Sequence, residues 1–300
     1  MYRYKNVVVG VGLDDRDRTL VEYAELVAFM AHSEHVRFVH ARPTPFSIGE
    51  FFPELTASLD DVSAEMRERL SALVEGGFHG PTGTAVDCEI VEGAPLAEML
   101  RIARDDEADI LVVGKDAEGG TLAEKLARKA PCSVLIVPEK VPAQIERVLV
   151  PVDFSDHAGD AVDVAVAFAE AARLEELHVL HSYCVPTTYL KLGKTHDEAH
   201  AVVRERVERR MAEFLDGRDL RGLEPVAHFA EGDDAHRAIH DEAAEIGADL
   251  LVIGTRGRSD TAAILLGSVA EKTVRTAEVP VVAVKRKGAT LTLIDALLDL

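Results

Sequence analysis

ADILVVG (residues 108–114) and ADLLVIG (residues 248–254) are one strand pattern written twice. Both are apolar throughout between an aspartate and a glycine, as expected of a strand buried on both faces of a parallel sheet. Asp109 and Asp249 stand 140 residues apart, and so do Gly114 and Gly254. The last strands of the two repeats, SVLIV (133–137) and PVVAV (280–284), stand 147 apart. Seven residues are therefore missing from the first repeat, and they fall in the segment after the glycine. There the second repeat reads GTRGRSDTAAILLGS (254–268) and the first only GKDAEGGTLAEKLARKAPC (114–132). The duplicate kept its scaffold and lost its loop.

Working outward, the period-2 and period-3.6 patterns alternate in the same order in both repeats. The first half runs NVVVGVG, the helical RTLVEYAELVAFMAH, VRFVHARP, the helical DDVSAEMRERLSALVEGG, AVDCEIVEG, the helical PLAEMLRIARDDE, ADILVVG and CSVLIVP. The second runs RVLVPVD, HAGDAVDVAVAFAEAARL, LHVLHSYCVP, AHAVVRERVERRMAEFLDG, EPVAHFAEG, DAHRAIHDEAAEIG, ADLLVIG and VPVVAVK. Strands joined through helices imply right-handed crossovers and a parallel sheet with helices on both faces. We expect one α/β domain over 1–140 and another over 146–287. The polar, proline-containing linker PEKVPAQIER (138–147) is short enough to favour packed domains. A tail, 288–300, carries Leu293, Leu297 and Leu300 at helical spacing, as a docked terminal helix or a partner-binding element would.

A net charge of −20 argues against nucleic acid and anionic membranes, whose phosphates it would repel. No apolar run reaches the roughly twenty residues of a membrane span. The N-terminus shows no signal-peptide pattern, and three scattered cysteines (Cys88, Cys132, Cys184) suit a reducing compartment, so the expected location is cytoplasmic.

The loop carries the chemistry. Gly254, Gly257 and the Gly267–Ser268 pair form G-x2-G-x9-G-S between a buried strand and a helix. A glycine-rich turn lets several N–H groups converge on an anion, and the positive end of the helix SVAEKTVRTA suits a phosphate. The loop leaves the C-terminal edge of a parallel sheet, where open α/β sheets bind ligands. Arg256 and Arg258 can add charge. A purely structural account also exists: Ser268 to Glu271 reads as a capping box, and Gly254 as a strand-ending turn.

VLVPVDFSDHA, EGDDAHRAIHDEAAEIGADLLVIGTRGRS and LLGSVAEKTVRTAEVPVVAVKRK resemble the ATP-binding branch of the universal stress protein family. The similarity covers the second half and, more faintly, the first, as in a tandem member. The resemblance implies two flavodoxin-like, adenine-nucleotide-hydrolase-like domains, each a five-stranded parallel sheet, packed as a pseudo-dimer. It implies ATP with Mg²⁺ in the second domain. Asp153 follows Pro151 and Val152 at the end of the first strand, where it would meet a ribose hydroxyl or Mg²⁺; DFSD is also good turn chemistry. Ser182 would meet adenine through its backbone. Gly254, Gly257, Gly267 and Ser268 would hold ribose and phosphates, with Val269 beside them, and Ile253 and Arg258 are counted with the nucleotide-binding residues. The implied function is a stress-response binding switch with a regulatory protein partner, in a homodimer or larger assembly. A slow ATPase and a nucleotide-free scaffold are the alternatives.

The first half departs where the site would be. Gly12 stands in the place of Asp153 and Gly10 in that of Pro151, and Asp14 and Asp15 disfavour an anion. Lys115, Gly119, Gly120 and Thr121 offer only a different nest, so this half is expected to be empty. His196 and His200 have an i, i+4 spacing but no H-E-x-x-H order, and no structural metal is expected. His181 reads either as a pocket residue or as a satisfied core histidine. There is no P-loop and no G-x-S-x-G elbow.

Overall fold

A computed structural model describes residues 4–14, 16–42, 56–115, 121–193, 195–255 and 266–285. The first half contributes β1 (Asn6–Gly10), α1 (Asp17–Ala31), β2 (His35–Arg42), α2 (Thr56–Gly77), β3 (Ala85–Glu92), α3 (Pro95–Asp105), β4 (Ile110–Gly114), α4 (Thr121–Lys129) and β5 (Ser133–Val137). The second contributes β6 (Val148–Pro151), α5 (Asp156–Ala171), β7 (Glu176–Tyr183), α6 (His196–Asp216), β8 (Glu224–Glu231), α7 (Ala235–Ile246), β9 (Leu250–Gly254), α8 (Ser268–Thr276) and β10 (Val281–Val284). Two elements were not legible in the pattern: α4, nine residues in a charged segment, and a 3₁₀ helix at Thr187–Leu192.

The two expected five-stranded units are present, and they share one sheet. Its order is β3-β2-β1-β4-β5-β10-β9-β6-β7-β8. Pairing is parallel within each half and antiparallel at the joint, where Leu135 faces Val282. In each half the order reverses between the first and fourth strands, and this switch point is where α/β sheets open a crevice. The joint lies in the middle of the core: β5 and β10 are buried along their whole length. One face of the sheet packs against α1, α2, α5 and α6, the other against α3, α4, α7 and α8.

Local signals start and stop the helices around the second crevice. Ser155 caps α5 by accepting from the Ala158 amide at 3.2 Å. Asp234 caps α7 by accepting from His236 and Arg237, and Gly247, at φ +64°, ends it in the left-handed region.

The halves also exchange contacts beyond the strand pair. The rings of Tyr4 and Phe168 lie 6.1 Å apart across the joint. Tyr23, in α1, donates at 2.7 Å to the carbonyl of Pro142, tying the linker to the first domain. Lys115 Nζ donates at 2.6 Å to the Ala277 carbonyl at the end of α8. Lys285 Nζ donates to the Arg128 and Ala130 carbonyls at the end of α4. Each half thus supplies a lysine to the negative end of a helix in the other.

Candidate functional site

At the second half's switch point the sheet opens into a cavity of about 460 Å³. β6 and the turn after it bring Pro151, Val152 and Asp153 to its wall; β7 brings Ser182; β9 brings Ile253 and Gly254. Gly267, Ser268 and Val269 line it from the start of α8. Every predicted binding residue within the described part of the chain therefore lines a single cavity. Gly257 and Arg258 lie outside the described residues, as do Arg256 and the tail 288–300. Leu180, His181, Ala270, Ala158, Ala235 and Ile239 complete the described wall, and the pattern gave no signal for the last three.

The wall combines an apolar slot with a polar mouth. Leu180, Ile239 and Ile253 give the wall apolar surface. The first turn of α8 brings backbone N–H groups to the other end, with the helix dipole behind them. Gly267 holds the N-cap position, and its amide donates to the Thr255 carbonyl at 2.9 Å. This corrects the capping-box reading. Ser268 is the first helical residue rather than the cap, and Glu271 pairs with Arg128 of the other half at 2.7 Å.

The turn after β6 is held by its own side chains. Asp153 Oδ1 accepts from the Ser155 amide at 3.0 Å and from its hydroxyl at 2.5 Å. Phe154 between them sits at φ +62°, an uncommon conformation for an aromatic residue, and packs on His181 with ring centroids 4.1 Å apart. His181 Nδ1 lies 2.7 Å from the Val152 carbonyl oxygen. A carbonyl only accepts, so the proton is on Nδ1. His181 is both a satisfied core histidine and a pocket residue. Gly254 has a packing reason as well: a Cβ there would stand 2.8 Å from the His157 carbonyl oxygen, where α5 begins.

The first half carries the same frame with its crevice narrowed. His40 Nδ1 bonds the Val11 carbonyl at 2.9 Å, as His181 does Val152, and Leu13, at φ +60°, matches Phe154. Where the second half has Ala158, the first has Asp17, almost wholly buried. Its carboxylate accepts from the amides of Gly12 and Asp14, both at 2.9 Å. Burial pushes the Asp17 pKa up against the pull of those amides. Met99, in the place of Ile239, presses on Gly10, and the remaining space is about 160 Å³. Asp14 and Asp15 were the residues singled out from sequence; Asp14 pairs instead with Arg16 at 2.6 Å, and Asp15 lies outside the described residues. Gly119 and Gly120 of the suggested alternative nest also lie outside them. Lys115 points to α8 of the other half.

Four histidines of the second half, His178, His196, His200 and His228, form two polar clusters outside the cavity lining. His196 and His200 reach Glu231 at 3.0 and 3.5 Å, and His200 also meets the Tyr183 hydroxyl at 2.9 Å. Beneath α7, Glu242 pairs with His228 at 2.7 Å, and His228 bonds His178 at 2.9 Å. Burial holds His178 below the usual histidine range. Among the described residues, no group of three or more His, Cys, Asp or Glu is arranged to hold a metal ion. No helix among them is long and apolar enough to cross a membrane.

Comparison with known proteins also finds the repeat. A family model described as the universal stress protein family matches twice, over residues 3–138 and 144–285. The chain is similar to Universal stress protein Mb2028c of Mycobacterium bovis, 28% identical over 220 residues, covering 67% of this chain and 70% of that one. A universal stress protein structure from Archaeoglobus fulgidus DSM 4304 matches with a TM-score of 0.65 at 20% identity, over 95% of this chain and 99% of that one, a likeness of fold. A universal stress protein solved in complex with cAMP matches at a TM-score of 0.34 and 24% identity, over 46% of this chain and 98% of its own.

Proposed function

The chain belongs to the universal stress protein family; from that premise we propose that its second half, residues 146–287, binds ATP and that the protein acts as a nucleotide-dependent binding switch. The observation that carries this reading is the cavity itself. Residues from four separate places in the sequence, pointed to by the glycine spacing of the loop and by the family resemblance, line one cleft of about 460 Å³ at a switch point. The residues present fit the nucleotide. The apolar slot suits adenine, Ser182 stands at its edge, and the amides at the start of α8 suit a phosphate. Asp153, oriented by Ser155, suits a ribose hydroxyl or Mg²⁺, which would offset polyphosphate charge.

Binding is favoured over turnover because the cavity wall consists largely of aliphatic side chains and glycine, and Asp153, its carboxylate, is tied into a turn. A switch requires ATP to bind one arrangement of the protein better than another. Helix α8 joins the cavity to the other half through Glu271 and Ala277, so nucleotide binding and the joint share one element. The partner in such a switch is a regulatory protein, and the assembly a homodimer or larger.

Calorimetric titration of Mg-ATP into protein stripped of nucleotide tests the reading, with Gly267→Val as the comparison. One site per chain, lost in the variant, is the expected result. Two sites would mean that the first half also binds. No heat at millimolar ATP would leave a scaffold without nucleotide.

A further inference from the structure

Glu271 is in an awkward place for a phosphate site. It lies in the first turn of α8, whose opening residues line the cavity. A carboxylate there stabilises the free helix but opposes any second anion at the same end. Its partner comes from the other half: Arg128, in the last turn of α4, places Nη2 2.7 Å from Glu271 Oε1. The two chains of events at α8 are complementary, since Lys115 of the same half holds the helix's far end through the Ala277 carbonyl. The pairing is one-sided. Glu124 occupies the corresponding place in α4, and its Oε1 is buried without a hydrogen-bond partner. The acidic residue that receives an arginine directly follows Ala270, which lines the open cavity.

We propose that Arg128, supplied by the half whose crevice is narrowed, is a positioning residue for polyphosphate binding in the second half, neutralising Glu271 beside the phosphate end of the site. This rests on the nucleotide reading above and assigns the first half a part in it. Because Arg128 acts on charge, it should distinguish ATP from an uncharged nucleoside in the same cavity.

The test is titration of Mg-ATP and, separately, of adenosine into wild type, Arg128→Leu, Arg128→Lys, Glu271→Gln and the Arg128→Leu/Glu271→Gln double variant. Arg128→Leu should weaken ATP by about fivefold, the size of a charge effect at a helix end, and leave adenosine unchanged. Arg128→Lys should retain most of the affinity, Glu271→Gln alone should tighten ATP, and the double variant should return to wild type. Equal weakening of ATP and adenosine by Arg128→Leu, or no effect of it on ATP, overturns the proposal. Should Arg128→Leu fail to fold, absence of tightening by Glu271→Gln overturns it. Wild type that binds neither ligand overturns the nucleotide reading itself, a result distinct from either.

Discussion

Asp17 in the first half and Ala158 in the second occupy corresponding places on the helix after the first strand, one with a carboxylate and the other with a methyl group. Around them the frame is shared: His40 and His181 bond matching carbonyls, and Leu13 and Phe154 adopt the same left-handed turn. What differs is who uses the amides at the sheet's edge. In the first half Asp17 takes those of Gly12 and Asp14. In the second, Asp153 accepts from the Ser155 amide and hydroxyl, and Ala158 lines the open cavity. The comparison teaches that one buried side chain can take up the amide donors at a sheet's edge and narrow a crevice while the fold stays intact.

The strongest way to break this comparison is to move the carboxylate. Ala158→Asp should abolish ATP binding, weakening it by more than about a hundredfold, because the charge enters the cavity and repels phosphate at low dielectric. Calorimetry reads the loss, and an unchanged circular dichroism spectrum would assign it to the site. Retained binding would mean that Asp17 is not what narrows the first crevice.

A second contrast uses the paired glycines. Gly254→Ala drives a Cβ against the His157 backbone, whereas a Cβ on Gly114 would meet nothing within 4 Å. Gly254→Ala should cost about 1–3 kcal/mol in denaturant unfolding, as overpacking does. Gly114→Ala should be near neutral. Equal effects would show that the helix after the first strand sits equally close in both halves.

The smallest expected effect concerns pH. His178, in the second half only, is held below the usual histidine range by burial. The unfolded chain therefore binds a proton more readily than the folded one as pH falls below about 6.5. Stability contributed by neutral His178 is present above that pH and is lost on acidification. His178→Gln should show a smaller fall in Tm between pH 7.5 and pH 5.5 than wild type does. An identical fall would place the titration elsewhere.

The scaffold was legible in the sequence because strands buried on both faces are apolar runs and helices between them are amphipathic; ADILVVG and ADLLVIG located both halves. The described part of the cavity wall was legible for a different reason. Glycine, serine and aspartate at strand ends have few roles, and the family resemblance assigned the rest. Asp17 was not legible, because an aspartate in the first turn of a helix ordinarily serves the helix dipole, and only the fold shows it buried among amides. Ala158, Ala235 and Ile239 carry no chemistry of their own and enter the wall through position alone. Arg128 was hidden by distance: its partner is 143 residues away, across a joint that local periodicity does not encode.

That joint has a further consequence. Two separate chains held by one antiparallel strand pair come apart on dilution, whereas here a linker of about ten residues between β5 and β6 tethers the two halves, and the encounter of β5 with β10 is intramolecular. The assembled sheet is thus independent of how much protein is present. Heredity is affected too. In a symmetric pair of identical subunits, a carboxylate closing one crevice closes both. Within a single tandem chain each crevice has its own codon, so one can be sealed while its neighbour stays open.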